Sequence, residues 1–323
     1  MNTHDLEAFL AVVETGSIVA ASTRLNVTQP GITRRIQNLE HTLGAALLDR
    51  QSKPLRPTAA GREAYEHARR VLRSLEDMKS GLSRDAPVTG EFRLGITPSL
   101  SEAALAAPVD RLRGDFPQLT LQITAGWSPQ LLARVSRSEL DAAAVGLVDG
   151  QEPPADLAAD DLGAQPVVLI ASRELDIPEH ATLRDLSRFP WVMNPDGCGF
   201  RAALKRSFEA ARLPFHIGVE ALSADLRLSL VERGLGIGLV TAAAFAANPP
   251  PASIKRIDSS DFHPQVRAWV VYRPPLGRLG RPITTFRDAL ATAFAASHSR
   301  FQEKPDPVRA AGRQGKKNQA RAG

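Results

Sequence analysis

Apolar residues in the first 45 positions recur at helical spacing in three short runs. Leu6, Phe9, Leu10 and Val13 share one helical face, and Gly16 stands where that helix should end. Ser17 is placed to cap a second helix through Arg24, whose small Ala20 and Ala21 allow close approach. Asn26-Val27 makes a tight connection. Thr28 suits the cap of a third helix, with Pro30 in its first turn, where the missing N–H costs nothing. This helix carries Ile32, Ile36, Leu39 and Leu43 on one side and Pro30, Thr33, Arg34, Gln37 and Asn38 on the other. Leu47 to Arg50, a turn around Ser52-Lys53-Pro54, and Leu55-Arg56 read as a two-stranded wing. A long helix is then expected from Thr58, a cap, to about Ser83. Its residues Ala64, Ala68, Val71, Leu75, Met78 and Leu82 are spaced 4, 3, 4, 3, 4. Such spacing fits a heptad seam between two copies, with a helix packed on its own domain as the alternative. Residues 84–90 look like a hinge.

From Glu91 onward, apolar runs alternate with helical patterns, as in an α/β domain with parallel strands. Strands are expected at Phe92 to Thr97, Leu119 to Thr124, Ala142 to Gly146, Val167 to Ala171, Trp191 to Met193, Gly236 to Val240 and Val266 to Tyr272. Helices are expected at Ser101 to Arg113, Pro129 to Ser136, Phe200 to Ala211, Ala224 to Arg233 and Ile283 to Ala296. The last twenty-odd residues, rich in Lys, Arg, Gly and Pro, read as a disordered basic tail.

Composition narrows the classes. An apolar fraction of 43% and a charged fraction of 23% are those of an ordinary globular protein. No apolar run approaches a membrane span, and the N-terminus carries Asp5 and Glu7 where a secretory signal would be basic. A cytoplasmic location follows as the expectation. The single cysteine, Cys198, leaves no intrachain disulfide and argues against a cysteine-built metal site. Between Arg24 and Arg73 ten Lys/Arg face four Asp/Glu, a local +6 that exceeds the +5 of the whole chain. Positive charge gathered in one small region suits a polyanionic partner. Enzyme readings find no support: the histidines are scattered, and metalloprotease, nucleophile-elbow and P-loop motifs are absent. Gly234-Leu235-Gly236-Ile237-Gly238 has glycine at alternate positions rather than in a phosphate-binding turn. Neither a cofactor nor a metal is expected.

A helix-turn-helix needs a bracing helix followed by a recognition helix with one apolar face and one hydrogen-bonding face, because the major groove admits a single helix. Residues 17–43 supply that arrangement. The run Phe9, Glu14-Thr15-Gly16-Ser17, Ala20-Ala21, Leu25, Thr28-Gln29-Pro30, Thr33, Ile36, Leu39-Glu40, Leu43-Gly44, Leu47, Arg50, Thr58 and Gly61 resembles the N-terminal signature of LysR-type transcriptional regulators. Phe116-Pro117, Leu140-Asp141 and the 234–238 glycine run extend the resemblance to about residues 1–300. Leu48 stands where the family usually has Phe, and Gly31 where Ala or Ser is commoner.

The resemblance implies a winged helix-turn-helix at 1–60, a linker and dimerisation helix with hinge at 58–89, and an effector-binding domain at 90–301. That domain would be a two-lobed α/β fold similar to type 2 periplasmic binding proteins, with lobe one at 91–163 and 266–301 and lobe two at 164–265. The basic tail would occupy 302–323. A transport solute-binding protein shares the two lobes, but it needs an export signal and lacks the DNA-binding head. Mapped onto the family, Gln29, Pro30, Thr33 and Arg34 are candidates for base-edge contacts. Arg35, Arg50, Lys53 and Arg56 are candidates for phosphate or minor-groove contacts. Ser17, Thr28 and Gln37 complete the DNA-facing set. The implied partners are double-stranded DNA at a dyad-symmetric promoter site, a second copy in a dimer or tetramer, RNA polymerase, and a small-molecule inducer. No membrane partner is implied.

The inducer would lie between the lobes. Thr97, Ser99 and Ser101 open a helix after the first strand and suit an anion, though the hydroxyls also read as simple helix caps. Trp127 and Ser128 follow the second strand, where Trp127 is either a cleft wall or a packing residue. Asn194, Cys198 and Arg201 belong to the matching loop of lobe two, with Arg201 either the counter-charge of an anionic inducer or a surface arginine. Gly146 and Thr241 face the same cleft by family analogy. Cys198 also admits a redox reading, but no second cysteine is present to resolve a sulfenic acid.

Overall fold

The computed structural model describes residues 1–81, 87–100, 106–148, 150–178, 180–247 and 250–303. Its chain separates into two compact units, Met1–Ala86 and Pro87–Gly323.

The first unit opens with α1 (Thr3–Thr15), α2 (Ile18–Leu25) and α3 (Gln29–Leu43). Their ends lie where the capping residues predict. Gly16 ends α1 at φ 65°, the left-handed conformation glycine adopts without strain. The Ser17 hydroxyl accepts from the Ala20 N–H, and the Thr28 hydroxyl accepts from the Gly31 N–H at 3.3 Å. A further cap escaped the sequence reading: the side chains of Asn2 and Asp5 each accept the other's backbone N–H, a reciprocal capping box at the start of α1. Ile32, Ile36 and Leu39 of α3 are buried against Leu6, Phe9 and Val12 of α1, so the apolar stripes close into one core. Glu14 ties three helices together, pairing with Arg24 at 2.6 Å and accepting from the Tyr65 hydroxyl at 3.2 Å. Burial, reinforced by the Glu14 carboxylate, raises the Tyr65 phenol above its ordinary pKa.

The wing is a pair of two-residue strands, β1 (Leu48–Asp49) and β2 (Arg56–Pro57), antiparallel. Leu48 is buried in the core beneath it, filling the place the family usually gives to Phe. Next, α4 (Ala59–Gly81) is started by Thr58, whose hydroxyl accepts from the Gly61 N–H and donates to the Ala46 carbonyl. The expected seam divides. Ala68 is buried and Ala64 half-buried on the unit's own core, whereas Val71 and Met78 are exposed at 47% and 61%. Leu82 and Ser83 of the expected helix, and positions 84–86 of the expected hinge, lie outside the described residues.

The second unit begins with β3 (Gly90–Ile96), α5 (Ala107–Asp115), β4 (Leu119–Ala125), α6 (Ser128–Ser136) and β5 (Ala142–Val148). β3 runs parallel to both β4 and β5. The expected helix from Ser101 is described only from Ala107, since 101–105 lie outside the described residues. β6 corrects the sequence reading: the strand expected at Val167 to Ala171 spans Ala158–Ser172. Its first part pairs with β12 (Gln265–Tyr272), and its second part with β10 (Gly238–Thr241) and β11 (Ile254–Ser259). Asp160, Asp161 and Gly163 interrupt the apolar run, which hid this first part. Between β6 and β12 lie β7 (His180–Ala181), α7 (Leu183–Leu186), β8 (Trp191–Met193), α8 (Gly199–Ala210), β9 (Ile217–Glu220), α9 (Ala224–Glu232), β10, α10 (Ala242–Ala247) and β11. Of these, β7, β9, β11, α7 and α10 were not read from the pattern. α11 (Gly280–Glu303) closes the fold, longer at both ends than expected.

One lobe therefore carries the order β4-β3-β5-β12-β6, and the other is built on the far half of β6. Their cores are distinct: Phe92, Leu94, Phe286 and Leu290 in lobe one, Trp191, Leu204, Phe208 and Ile237 in lobe two. The alternating glycines serve close packing rather than phosphate binding. A Cβ on Gly236 would lie 2.4 Å from the Pro190 carbonyl oxygen, and one on Gly238 would lie 2.7 Å from Val231.

The closest backbone approach in the first unit is at Gly61, where a Cβ would stand 2.0 Å from the Leu47 carbonyl oxygen. Gly61→Ala should lose about 1–3 kcal/mol of stability through overpacking. Gly44→Ala, with φ 67° but open space around it, should lose about 1 kcal/mol. Urea unfolding followed by circular dichroism compares the two, and an equal or smaller loss for Gly61→Ala would contradict this packing.

Candidate functional site

Two surfaces carry chemistry, one in each unit. On α3 the residues opposite the buried stripe are solvent-facing: Gln29, Pro30, Arg34, Gln37 and Asn38 are exposed, and Thr33 and Arg35 half-buried. The Thr33 hydroxyl donates to the Gln29 carbonyl at 3.0 Å. Thr28 and Ser17 stand at the N-caps of α3 and α2, so both hydroxyls already serve backbone N–H groups. A Cβ at Gly31 would press on Val27 at 2.9 Å, so the small residue at that position has a packing reason. Arg34, Arg35, Lys53 and Arg56 form no ion pair among the described residues, and Lys53 and Arg56 are exposed on the wing. Arg50, expected at the DNA backbone, has a partner within the chain. Its guanidinium pairs with Glu40 at 2.9 Å, while the other Glu40 oxygen accepts from the N–H groups of Leu47 and Leu48. Arg50 thus helps fasten the wing to α3.

In the second unit a cavity of about 320 Å³ lies between the lobes. Thr97, Ser99, Trp127, Ser128 and Gly146 line it from lobe one, and Asn194, Cys198 and Thr241 from lobe two. Ser101 lies outside the described residues. Thr97 is buried, with its hydroxyl accepting from the Gly146 N–H at 3.2 Å and standing 3.3 Å from the Ser99 oxygen. The Ser128 hydroxyl donates to the Gly146 carbonyl at 2.8 Å. A Cβ on Gly146 would lie 2.9 Å from both Ser99 and Val266, so this wall is packed to contact. Across the cavity the Asn194 amide donates to the Cys198 sulfur at 3.1 Å, and its Oδ1 is buried without a hydrogen-bond partner. Thr241 caps α10 by accepting from the Ala244 N–H.

Arg201 does not line this cavity, which corrects its proposed role as counter-charge. It is held by Asp196 at 3.0 Å and Glu220 at 2.6 Å, and donates to the Asn194 carbonyl. The cavity's guanidinium belongs to Arg227 of α9, which sequence reasoning missed. Arg227 donates to the Ala221 and Leu222 carbonyls at 3.0 and 2.8 Å and has no carboxylate partner among the described residues. Burial lowers its pKa from the ordinary arginine value, with the Cys198 sulfur acting in the opposite sense. An arginine one turn inside a helix otherwise rich in leucine was the available signal.

The electrostatics of the cavity are one-sided. Its lining includes Arg227 but no Asp or Glu. The starts of α6, α8 and α9 all border it, through Ser128, Cys198-Gly199 and Ser223-Ala224. Neither α6 nor α8 has a side-chain cap on its first-turn N–H groups, although Pro129 of α6 contributes none. Helix N-termini carry partial positive charge. Apolar walls from Val148, Met193, Phe200 and Leu239 complete the enclosure. Among the described residues no cluster of His, Cys, Asp and Glu could hold a metal ion, and no helix is long and apolar enough to cross a membrane.

Comparison with known proteins agrees with this architecture. Residues 3–62 match the family model described as bacterial regulatory helix-turn-helix protein, lysR family, and residues 85–295 match the LysR substrate binding domain. The chain is 28% identical over 303 residues to the DNA-binding transcriptional dual regulator OxyR of Escherichia coli K12, covering 92% of this chain and 95% of that protein. It is 29% identical over 249 residues to the transcriptional regulator BbuR of Bordetella bronchiseptica, covering 76% of each. Among solved structures, a full-length OxyR variant from Pseudomonas aeruginosa shares the fold with a TM-score of 0.69 at 19% identity, over 90% of this chain and 94% of that one. CbnR in complex with its target DNA gives 0.59 at 21% identity, over 91% of this chain and all of that one. These relatives are transcriptional regulators and not enzymes.

Cys198 provides a direct reporter of the cavity, being the only cysteine and 4% exposed. Alkylation by N-ethylmaleimide should run about tenfold or more slowly in the native chain than in urea, because the thiol reacts through opening of the fold. Equal rates in the two states would mean that the sulfur does not lie in an enclosed site.

Proposed function

Since the chain belongs to the LysR family of DNA-binding transcriptional regulators with an effector-binding domain, we propose that it regulates a promoter through α3 under the control of an anionic effector bound between the lobes. The observation that carries the effector reading is the charge of the cavity: Arg227 and the starts of α6, α8 and α9 face it, with no carboxylate in its lining. A carboxylate placed there would accept charge-assisted hydrogen bonds from groups that are otherwise under-used. Thr97, Ser99 and Thr241 would orient the remainder of the molecule, and Trp127 and Phe200 would cover it. Arg201 holds the loop that carries Asn194.

For DNA, Gln29, Pro30, Thr33, Arg34 and Gln37 form the base-facing set. Ser17, Thr28, Arg35, Lys53 and Arg56 form the backbone-facing set. Arg50 joins them only if it leaves Glu40. A dyad-symmetric site requires two heads, and an apolar groove supports that pairing. About 360 Å³ in volume, it is lined by Leu43 and Val71, both 47% exposed, together with Met1 and Ala68. Met78 continues the exposed stripe. Pairing through the effector domains would raise the dimer to a tetramer, and effector binding would change how the assembly bends DNA and presents it to RNA polymerase. A protein acting on promoter DNA works in the cytoplasm.

Fluorescence anisotropy on the chain's own upstream promoter fragment, over a range of salt, tests the DNA reading. Arg34→Ala should cost about 1–3 kcal/mol and relax sequence preference, whereas Lys53→Ala should weaken all sequences alike and lower the salt slope by about one. Unchanged affinity in Arg34→Ala would remove it from the interface.

A thermal-shift screen of the full chain against carboxylates, amino acids and aromatic acids tests the effector. A ligand at about a hundred times its Kd adds about 2.7 kcal/mol, a rise in Tm of about 5–11 °C. Arg227→Gln should abolish the rise and Arg201→Gln should preserve it. Silence of the native chain toward every anion would end the anionic reading.

A further inference from the structure

Phe200 stands between two cavities. Together with Val148 and Leu239 it lines both the interlobe cavity and a second hollow of about 390 Å³. This hollow runs along one face of α8, through Phe200, Ala203, Ser207 and Ala210 at spacings of 3, 4 and 3. Phe262 to Gln265 close its other side, where the chain returns from lobe two to lobe one. Its volume falls within the range of about 300–1,000 Å³ usual for small-molecule sites.

The chemistry of the hollow differs from that of the first cavity. Two aromatic rings, Phe200 and Phe262, supply apolar walls, and Arg206 and His263 stand exposed at the edge. Arg206 forms no ion pair among the described residues. The lining has one carboxylate, Asp261, whose Oδ1 accepts from the Leu183 N–H at 2.8 Å and the Ser259 hydroxyl at 3.1 Å. Asp261 therefore fastens its own loop, and Arg206 is left to a ligand.

We propose that this hollow is a second ligand site, taking a small aromatic carboxylate with its ring against Phe200 and Phe262 and its carboxylate on Arg206. Val148 and Gln265 come from lobe one, and α8, Leu239 and Phe262 from lobe two, so the occupant touches both lobes at their crossover. It also contacts the side chain that walls the interlobe cavity. Occupancy of either site changes the affinity of the other, and by linkage the effect is reciprocal. The site stands on its own lining and does not require the interlobe effector to be an anion.

The test is ligand-observed fluorine NMR of para-fluorophenylacetate titrated with the full chain. Arg206→Gln, a surface change, and Ala203→Trp, which fills the hollow, should each weaken a saturable component by about tenfold or more. That component should persist in Arg227→Gln. Binding lost only in Arg227→Gln would place the probe in the interlobe cavity alone and overturn the second site while leaving the first intact. Binding indifferent to Arg206→Gln and Ala203→Trp, or no saturable binding, also overturns it.

Discussion

The effector unit depends on one continuous ladder. β6 stays hydrogen-bonded along its length while its partner changes, from β12 in lobe one to β10 and β11 in lobe two. A strand advances about 3.3 Å per residue, so its fifteen residues hold two separate cores on one rail. The return at Pro264-Gln265 is fixed to the same rail, because the Val167 N–H donates to the Pro264 carbonyl at 2.9 Å. Two backbone crossings permit a change of angle between the lobes but resist sliding. The starts of α6, α8 and α9 can therefore meet at one cavity although they belong to different lobes.

That convergence makes the cavity electrostatically one-sided, with Arg227 and three helix starts in its lining and no carboxylate. A guanidinium drawn partly out of water, with no carboxylate beside it, favours a negatively charged partner. In this cavity the Arg227 guanidinium donates to two backbone carbonyls through one nitrogen. Each neighbouring helix start adds the equivalent of roughly half a positive charge. Arg201 shows the opposite solution a short distance away, with Asp196 and Glu220 neutralising it. One arginine is tied to two carboxylates and the other to backbone carbonyls alone among the described residues, and the difference lies in the partners that the fold supplies.

The head of the molecule was legible because its signals are local. Caps at Ser17, Thr28 and Thr58, the left-handed Gly16 and the period of Ile32, Ile36 and Leu39 all act within one or two turns. The effector unit was less so, because its decisive pairings join distant residues. The half of β6 that carries Asp160 and Asp161 is a strand only because β12 pairs with it about a hundred residues later. The same gap explains the misplaced counter-charge. Arg201 sits in a strand-to-helix loop of the expected kind, but its strong partner Glu220 lies on β9, a strand the pattern did not reveal. Without β9, Arg201 looked free and Arg227 looked ordinary.

The seam on α4 was read as serving either a partner or its own domain, and the structure divides it between the two environments. Small residues come first: Ala64 and Ala68 let α4 approach α1 and the core around Phe9. Larger residues follow, and Val71 and Met78 face solvent. A heptad period allows this division, because successive turns of one stripe can meet different surfaces. Each side chain of that size gains up to about 1.5–3 kcal/mol when taken from full exposure to full burial, which is the physical reason for placing the proposed pairing on this stripe.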